Sequence, residues 1–565
     1  MAKPETPAAA LRALQSIQAE FGADRAARKS ALVRRLARAR LPRARDVLAL
    51  HESLLFLWAY ADDEEVLEAV EGALAAFGAR RDVRQFRAEL EDSGVAGTEI
   101  VYRFYAEMAK WLAAHWPSAL SIDWDLVEDE ARLSRLLPFC VLPAEAACME
   151  ELVFSTRDWI DRLRGPDETD ATFLVRRLER LPLPPALHEH LYQELGLWLR
   201  LAPAPDSPAR TTSRLPEAIS GPRVFQAGPL RRARPDLAAE ARRPPRSVRA
   251  LSRAEGAAVI DLARVAMVTR SRDLDAFSYG DPDDVRLVEH EDGLAFAVVG
   301  VLPERRLLFE AVYAFLTLKN GVPIGYVLNS ALYGSAEIAY NVFETFRGGE
   351  AAHVYGRVVA TLVALFGVDS FTVYPYQLGD DNEEAIASGA WWFYQKLGFR
   401  PKAPGALRTM RRELAAQKRD PAHRSSRATL CELARENVYL HLGDARDDVI
   451  GVTPYGDAGL AVADLMAARF GSDRERAEAA CCAEAAELCG GVDLTDWSAS
   501  ERGAWRRYAP LIVALPGVRR WSAAERRALA EIARAKGGRR ESDFVRKFDQ
   551  HRRLRAAVLE LTRGV

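Results

Sequence analysis

Apolar residues recur at intervals of three and four through the first 200 residues, which is the period of an amphipathic helix. The pattern is clear over residues 31–36 and 47–56. Residues 61–81 add acidic side chains at the start, an apolar stripe, and Gly78 with two arginines at the end, which are the signals of a complete helix. The pattern therefore predicts an all-helical domain over residues 1–201.

The periodicity stops between residues 202 and 247, where Pro, Ser and Arg dominate. A stretch of this composition without an apolar period is typical of a linker or a poorly ordered arm. We therefore predict a Pro/Arg-rich linker over residues 202–247. The alternative is that its arginines contact a phosphate-rich partner.

Residues 248–415 alternate between helix-like and strand-like patterns. Ser252 and Glu255 have the spacing of a capping box at the start of a helix. A hairpin turn is predicted at Asn320–Gly321, between two apolar runs. Strands are predicted over 294–302, 307–318, 322–332, 336–346 and 370–376, with a helix over 351–367 and a closing helix over 389–398.

Helical periodicity resumes from residue 416 to residue 565. Gly537 and Gly538 separate two helices near the end, and Ser542 is predicted to cap the second. The predicted fold class is therefore α+β/α, with a central mixed sheet flanked by N-terminal and C-terminal all-helical domains. A chain of 565 residues is too long for one core, and about three units agree with the usual domain size.

The composition is that of a globular protein with a net charge of −2, which argues against nucleic-acid and membrane partners. The six cysteines include no CxxC pair, so neither a zinc site nor a disulfide framework is indicated, and we expect no metal. The chain does not begin with a signal-peptide pattern, and no apolar run approaches the roughly 20 residues that span a bilayer. We therefore expect a cytoplasmic protein.

The closing helix of the mixed region carries a family resemblance. Residues 389–401 read GAWWFYQKLGFRP, in which Phe393-Tyr394 is followed by Leu397-Gly398-Phe399. With the preceding order of helix, strands, Arg-Gly-rich loop, helix and strand, this ending resembles the GNAT superfamily of acyl-CoA-dependent N-acyltransferases. The resemblance covers residues 250–412, under a third of the chain. It implies a GNAT-like mixed sheet within the predicted domain 248–415, with acetyl-CoA or another acyl-CoA as cosubstrate.

The loop before the predicted helix 351–367 is the candidate cofactor site. Residues 342–352 read VFETFRGGEAA where the family has V-x-P-x-x-R/Q-G-x-G-x-G/A. Backbone N–H groups and the helix dipole at such a loop form a site for a pyrophosphate. The resemblance assigns the backbone of Asn341, Val342 and Phe343 to the pantetheine arm and the thioester carbonyl. It assigns the remaining cofactor contacts to Arg347, Gly348, Gly349, Ala351 and Ala352.

This loop departs from the family pattern at two positions. Glu344 stands where proline is common, and Glu350 stands where a glycine normally lets the backbone approach the pyrophosphate. The Glu350 side chain is expected to crowd the loop, and its charge to repel the phosphates. Alternatively, Glu350 is a first-turn acid that faces the helix dipole.

Tyr394 and Glu337 are the candidate catalytic residues. By the resemblance, Tyr394 faces the cofactor thiol, where a phenol protonates the leaving thiolate. The alternative is a tyrosine that packs and hydrogen-bonds a backbone carbonyl. The amine nucleophile also needs a base, and Glu337 is a carboxylate on a predicted central strand, on the same face as Asn341. An edge-exposed, solvated glutamate is the alternative.

An acidic loop precedes the closing helix, with carboxylates at Asp380, Asp381, Glu383 and Glu384. We interpret these residues as the solvated start of a helix that Asn382 caps, because acids favour a helix N-terminus. The alternative is an acidic rim that recruits a cationic amine or a basic protein segment.

The sequence therefore supports two hypotheses about function. The first is a GNAT-like N-acyltransferase that moves an acyl group, with acetyl-CoA as the expected donor, to an amine of a small molecule or a protein. The second is a degenerate GNAT-fold binding or regulatory module without catalysis, which the glutamate at position 350 favours.

Overall fold

The computed structural model describes residues 6–453 and 455–562. The chain divides into two compact units. Unit 1 takes the residues up to Leu230 together with Ala257–Gly280 and Leu318–Ile324. Unit 2 takes Arg231–Gly256, Asp281–Thr317 and the residues from Gly325 onward. Helix and sheet both contribute to the fold, as the mixed sequence pattern predicted.

Helices make up most of unit 1, in agreement with the three- and four-residue periodicity. The signals over residues 61–81 produce a helix whose first backbone N–H groups are capped by Asp63, which accepts a hydrogen bond from the N–H of Val66 at 2.9 Å. The helices over residues 6–230 are α1 Pro7–Ile17, α2 Ala23–Arg38, α3 Ala44–Ala59, α4 Glu64–Ala75, α5 Arg81–Gln85, α6 Ala106–His115, α7 Glu130–Leu136, α8 Pro143–Glu151, α9 Thr156–Leu163, α10 Asp170–Glu179, α11 Pro185–Leu195 and α12 Glu217–Ser220.

Unit 1 also contains short strands, so the prediction that residues 1–201 are all-helical is wrong at these positions. β1 (Ile100–Tyr102), β2 (Leu120–Ile122) and β3 (Leu199–Leu201) form an antiparallel sheet with β3 in the centre. Each strand has three residues, which are too few for an alternating pattern to be distinguished from a helical one.

The segment 202–247 contains the change from unit 1 to unit 2 at Leu230–Arg231, as expected of a linker, but it makes defined contacts within each unit, so the alternative of a poorly ordered arm is wrong. In unit 1, Leu215 is buried and its backbone N–H donates to the carbonyl oxygen of Gly321 at 2.8 Å. In unit 2, Glu240 forms an ion pair with the fully buried Arg357. Gly321 and Arg357 lie far from this segment in the sequence, so the pattern of residues within the segment could not predict these contacts.

The larger sheet contains the strands that the mixed region predicted. Its described strands are β4 Ser247–Ala250, β5 Gly280–Glu289, β6 Leu294–Val301, β7 Ala311–Lys319, β8 Val322–Leu332, β9 Ser335–Val342, β10 Ser370–Val373, β11 Arg400–Pro401 and β12 Val438–His441. Their order is β11-β12-β10-β9-β8-β7-β6-β5-β4. β9 and β10 are parallel, whereas β8 with β9, β10 with β12, β11 with β12 and β4 with β5 are antiparallel.

The sequence pattern missed β4, β5 and β12. β12 matters most, because it comes from the region predicted to be wholly helical and lies between β10 and β11. Its register with β10 places Val438 opposite Val373. The prediction of an all-helical domain over 416–565 is therefore wrong at this strand. A four-residue strand is too short to be recognised by its alternation when its partner lies so far upstream.

The predicted hairpin turn is confirmed by its backbone angles, and a second turn has the same character. Asn320 and Gly321 have φ of +52° and +79°, as a two-residue hairpin between β7 and β8 requires. Tyr333 and Gly334, between β8 and β9, have φ of +57° and +65°. Positive φ at both central residues matches the twist of the flanking strands.

Among the remaining helices, the structure confirms one predicted cap, at Ser252, and corrects another, at Ser542. Ser252 and Glu255 form the predicted capping box, with the Ser252 N–H donating to the Glu255 carboxylate at 2.8 Å. The helix predicted to be capped by Ser542 begins before that residue and has Arg540 at its N-cap, so that prediction is wrong. These helices are α13 Leu237–Ala241, α14 Arg253–Val268, α15 Asp275–Ser278, α16 Ala351–Phe366, α17 Pro375–Leu378, α18 Glu383–Ser388, α19 Ala390–Lys396, α20 Pro404–Arg419, α21 Arg427–Ala434, α22 Gly456–Phe470, α23 Arg474–Leu488, α24 Ala499–Ala514, α25 Ala523–Gly537, α26 Glu541–Gln550 and α27 Arg552–Leu561.

A buried ionic cluster fixes the start of α26 within unit 2. Lys536 and Glu541 pair at 2.6 Å, with side chains that are 1% and 0% exposed. The Arg306 guanidinium donates to the carbonyl oxygens of Lys536 and Gly538 at 2.9 and 2.6 Å. The Lys536 ammonium also donates to the carbonyl oxygen of Glu310 at 2.9 Å. Because each charge in such a cluster depends on its partners, removing one leaves the other buried and uncompensated.

Across the described residues, none of the helices combines the length and the apolar character needed to cross a bilayer.

Candidate active site

Strand β10 ends before its parallel neighbour β9 does. Their registered pairs run from Ser370 opposite Ser335 to Thr372 opposite Glu337. β9 then continues to Val342, while its other edge stays paired with β8 as far as Gly325 opposite Val342. The last residues of β9 therefore pass beyond their registered pairing with β10.

A cavity of about 280 Å³ lies along this end of β9. Five of the residues predicted to be catalytic or to bind the cofactor line it: Asn341, Val342, Arg347, Ala351 and Tyr394. The hydroxyl of Tyr340 donates to the carbonyl oxygen of Ala351 at 2.9 Å and so ties the end of β9 to the start of α16. The rest of the lining comes from Tyr340 and Phe393 and from the α17–α19 region, at Gln377, Asn382, Glu384, Ala385, Ser388 and Ala390.

Tyr394 lines this cavity with a buried side chain. The side chain is 3% exposed, and its ring meets Tyr355 and Phe399 edge-on at 5.7 and 5.8 Å between centroids. Burial raises the pKa of Tyr394, with the nearby Tyr374 as a further cause, so the phenol stays protonated at neutral pH.

The motif around Tyr394 folds as its sequence predicted. Gly398 has a φ of +109°, in the range that a glycine adopts readily, and ends the helix with its N–H bonded to the carbonyl oxygen of Gln395. Phe393 stacks on Tyr340 at 6.4 Å. Trp392, which the sequence left without a role, donates from Nε1 to the Ser425 hydroxyl at 3.1 Å.

The candidate cofactor loop turns from β9 into α16. A single helical turn over Glu344–Phe346 replaces the predicted end of the strand, and the Gly349 N–H donates to the carbonyl oxygen of Phe346 at 2.9 Å. A Cβ added to Gly348 would meet no atom within 4 Å, so this part of the loop faces open space. Phe343 differs from its neighbours, because its side chain is buried against Tyr326. Gly348, Gly349, Phe343 and Ala352 lie outside the lining of the cavity.

Glu350 neither crowds this loop with a free carboxylate nor caps α16. It is 6% exposed and stands at the N-cap position without a side-chain cap bond to the helix. Its carboxylate instead accepts a hydrogen bond from the backbone N–H of Arg231 at 2.9 Å. Glu350 therefore anchors the segment around Arg231 to the start of α16.

An ion pair connects the cofactor loop with α18. The Arg347 guanidinium pairs with the Glu384 carboxylate, and its Nε donates to the carbonyl oxygen of Val342 at 3.3 Å. Asn382 caps α18 as predicted, accepting from the Ala385 N–H at 3.1 Å. Glu383 pairs separately with Arg427. The acidic loop is thus an exposed helix start whose two glutamates each have an arginine partner.

Glu337 lies on β9 but outside the lining of the cavity. β9 runs between β8 and β10, so the alternative of an edge-exposed glutamate is wrong. Ser330 and Thr372 stand beside Glu337 in the register of the neighbouring strands. Burial, and then the charge of Glu310, raises the pKa of Glu337 to about 7. No described residue hydrogen-bonds its carboxylate, which is therefore able to take up a proton near neutral pH.

No family model, curated protein or solved structure matches this chain.

Sequence reasoning missed Tyr374 and Glu310. Burial raises the pKa of Tyr374, and the charge of Glu337 raises it further. Tyr374 in turn contributes to the raised pKa of Tyr394. Tyr374 thus lies close enough to both predicted catalytic side chains for a charge on one of them to influence another. Its position directly after β10 was the available signal. Glu310 precedes β7, and only the fold brings it near Glu337.

Among the described residues, no group of three or more His, Cys, Asp and Glu side chains is arranged to hold a metal ion.

Proposed function

We propose that the second unit is a GNAT-like N-acyltransferase that moves an acyl group from acyl-CoA, with acetyl-CoA as the donor, to an amine. The observation that carries this proposal is the cavity at the end of β9, which brings the buried side chain of Tyr394 together with Asn341, Val342, Arg347 and Ala351.

The loop and the end of β9 supply contacts of the kind that acyl-CoA requires. The backbone of Asn341, Val342 and Phe343 would hydrogen-bond the pantetheine arm beside the cavity. The N–H groups of Gly348, Ala351 and Ala352, together with the Arg347 guanidinium, would receive the pyrophosphate, whereas the Gly349 N–H is already bonded to Phe346. The open space beside Gly348 favours this role, because a backbone without a side chain permits close approach by the phosphates.

The proposed chemistry is a direct transfer. The amine attacks the thioester carbonyl, and the proton that it loses passes to Glu337, through water or through Tyr374. The C–S bond then breaks, and Tyr394 gives its proton to the leaving thiolate. The products are an amide and free CoA. The two proton transfers leave Glu337 protonated and Tyr394 ionised, so a proton must pass from Glu337 to Tyr394 through solvent before the next turnover.

The pKa of Glu337 supports its proposed role. A carboxyl with a pKa of about 7 is partly ionised at neutral pH and is a suitable base. Burial raises the pKa of Tyr394, which keeps the phenol protonated at neutral pH but makes it a weaker acid toward the less basic thiolate. Burial produces both shifts, because it disfavours the charged form of each group.

The second candidate is a GNAT-fold binding module without catalysis. The ion pair between Arg347 and Glu384 favours it, because the arginine expected to receive phosphate is already engaged. Under this hypothesis the cavity holds a ligand or a peptide, and Tyr394 contributes only a hydrogen bond.

Calorimetric titration with acetyl-CoA tests the proposal first. Binding in the micromolar range is expected, and an absence of binding at millimolar cofactor would rule out the acyltransferase. Release of CoA thiol is then measured with a panel of amines. Tyr394→Phe should lower turnover roughly 10- to 100-fold while leaving acetyl-CoA affinity within about twofold. Trp392→Phe, on the same helix, is the matched control and should retain turnover; unchanged turnover in Tyr394→Phe would favour the binding module.

A further inference from the structure

Arg347 and Glu384 come from different elements that line the same cavity. Arg347 lies in the loop between β9 and α16, and Glu384 lies in the first turn of α18. Both line the cavity, and their side chains form an ion pair. A second hydrogen bond, from Arg347 Nε to the carbonyl oxygen of Val342 at 3.3 Å, holds the guanidinium against the end of β9.

The ion pair between Arg347 and Glu384 is weak enough for an anionic ligand to displace the glutamate. The two side chains are 45% and 57% exposed, and exposed ion pairs are weak because water and salt compete with them. A phosphate competes well for a guanidinium, because it offers paired acceptor oxygens and more negative charge than one carboxylate. The carboxylate of Glu384 and an anionic ligand therefore compete for one cation.

We propose that Glu384 is a gate residue that occupies Arg347 until an anionic cofactor displaces it. This inference rests on the proposed function for the identity of that cofactor, a pyrophosphate-containing thioester. It makes Glu384 a determinant of cofactor affinity, because every binding event breaks the pair between Arg347 and Glu384. The cavity opens toward α18 as the pair separates.

The neighbouring Glu383 provides a matched control. It lies in the same first turn of α18, carries the same charge, and pairs with Arg427 instead of Arg347. Glu383→Gln and Glu384→Gln therefore change the net charge and the helix N-terminus equally. Only Glu384→Gln removes the competitor of the cofactor.

The test is calorimetric titration of the full chain with CoA. Glu384→Gln should lower the Kd for CoA about two- to fivefold, whereas Glu383→Gln should leave it within the error. Arg347→Gln should raise the Kd, and adding Glu384→Gln to it should produce no further change, since the competition requires the guanidinium.

The outcomes separate this inference from the proposed function. CoA binding that is equal in Glu384→Gln and Glu383→Gln overturns the gate and leaves the acyltransferase intact. Inorganic pyrophosphate is the second probe: a lower Kd for pyrophosphate in Glu384→Gln alone, without thiol release from acetyl-CoA by any variant, supports the gate and overturns the acyltransferase. Failure of every variant to bind either CoA or pyrophosphate overturns both.

Discussion

Replacing Glu337 with Gln should make the sheet more stable at pH 8 than it is in the wild-type protein. Glu337 has a pKa of about 7, against an ordinary value of 4.5, because burial and then the charge of Glu310 disfavour its ionised form. Below pH 4.5 the carboxyl is protonated in both the folded and the unfolded chain. Between pH 4.5 and 7 only the unfolded chain gives up the proton, so the folded state loses stability as the pH rises.

The size of this effect follows from the two pKa values. Ionising the folded carboxyl costs about 3 kcal/mol relative to the unfolded chain at pH 8, and less than about 1 kcal/mol at pH 5. An amide has nearly the shape of the protonated acid and does not ionise. The Glu337→Gln variant should therefore escape the loss at pH 8 and resemble the wild type at pH 5.

Hydrogen exchange of the β8, β9 and β10 amides, followed by mass spectrometry, measures this difference within unit 2. Comparing variant and wild type at the same pH cancels the intrinsic dependence of exchange on pH. At pH 8 these amides should exchange up to about 100-fold more slowly in Glu337→Gln. Glu344→Gln, at an exposed position just after β9, is the matched control and should exchange like the wild type. Equal protection in Glu337→Gln and the wild type at pH 8 would refute the assigned pKa and remove the main reason to regard Glu337 as a base.

Two further predictions concern buried polar groups. Lys536→Met should lower the midpoint of urea unfolding and reduce the free energy of unfolding by about 3–5 kcal/mol, because it leaves the Glu541 carboxylate buried without its partner. Adding Glu541→Leu should recover most of that loss, and additive losses in the double variant would contradict this account. Glu350→Ala should cost about 1–3 kcal/mol, since a backbone N–H of the preceding segment loses its acceptor, and thermal unfolding measures it; an unchanged midpoint would show that the anchor contributes nothing.

The features that the sequence predicted correctly are those fixed by neighbouring residues. The capping box of Ser252 and Glu255, the turn at Asn320–Gly321 and the Asn382 cap each depend on residues within a few positions of one another. Such local signals can be read directly. The segment 202–247 looked like a poorly ordered arm because its stabilising contacts, including the pair between Glu240 and Arg357, are made with distant residues.

The candidate site divides in the same way. Arg347 and Tyr394 belong to local motifs, and both line the cavity as expected of one site. Glu337 was selected for its place on a strand, and its pKa depends on Glu310, which no local pattern connects with it. The partner of Arg347 was also unpredictable, because Glu384 meets it only after α18 folds beside the loop.

The strand β12 has a consequence for the order in which this protein is made. Residues 438–441 lie inside the sheet, between β10 and β11, so β11 and the edge of β10 that faces away from β9 have no neighbour until synthesis has passed residue 441. A shorter chain ending near residue 415 would expose the edge of β10, where unpaired backbone groups invite pairing with another chain. More than sixty residues beyond β10 must therefore be synthesised before this part of the sheet is complete. Until then, the topology leaves that edge of β10 open to pairing with another chain.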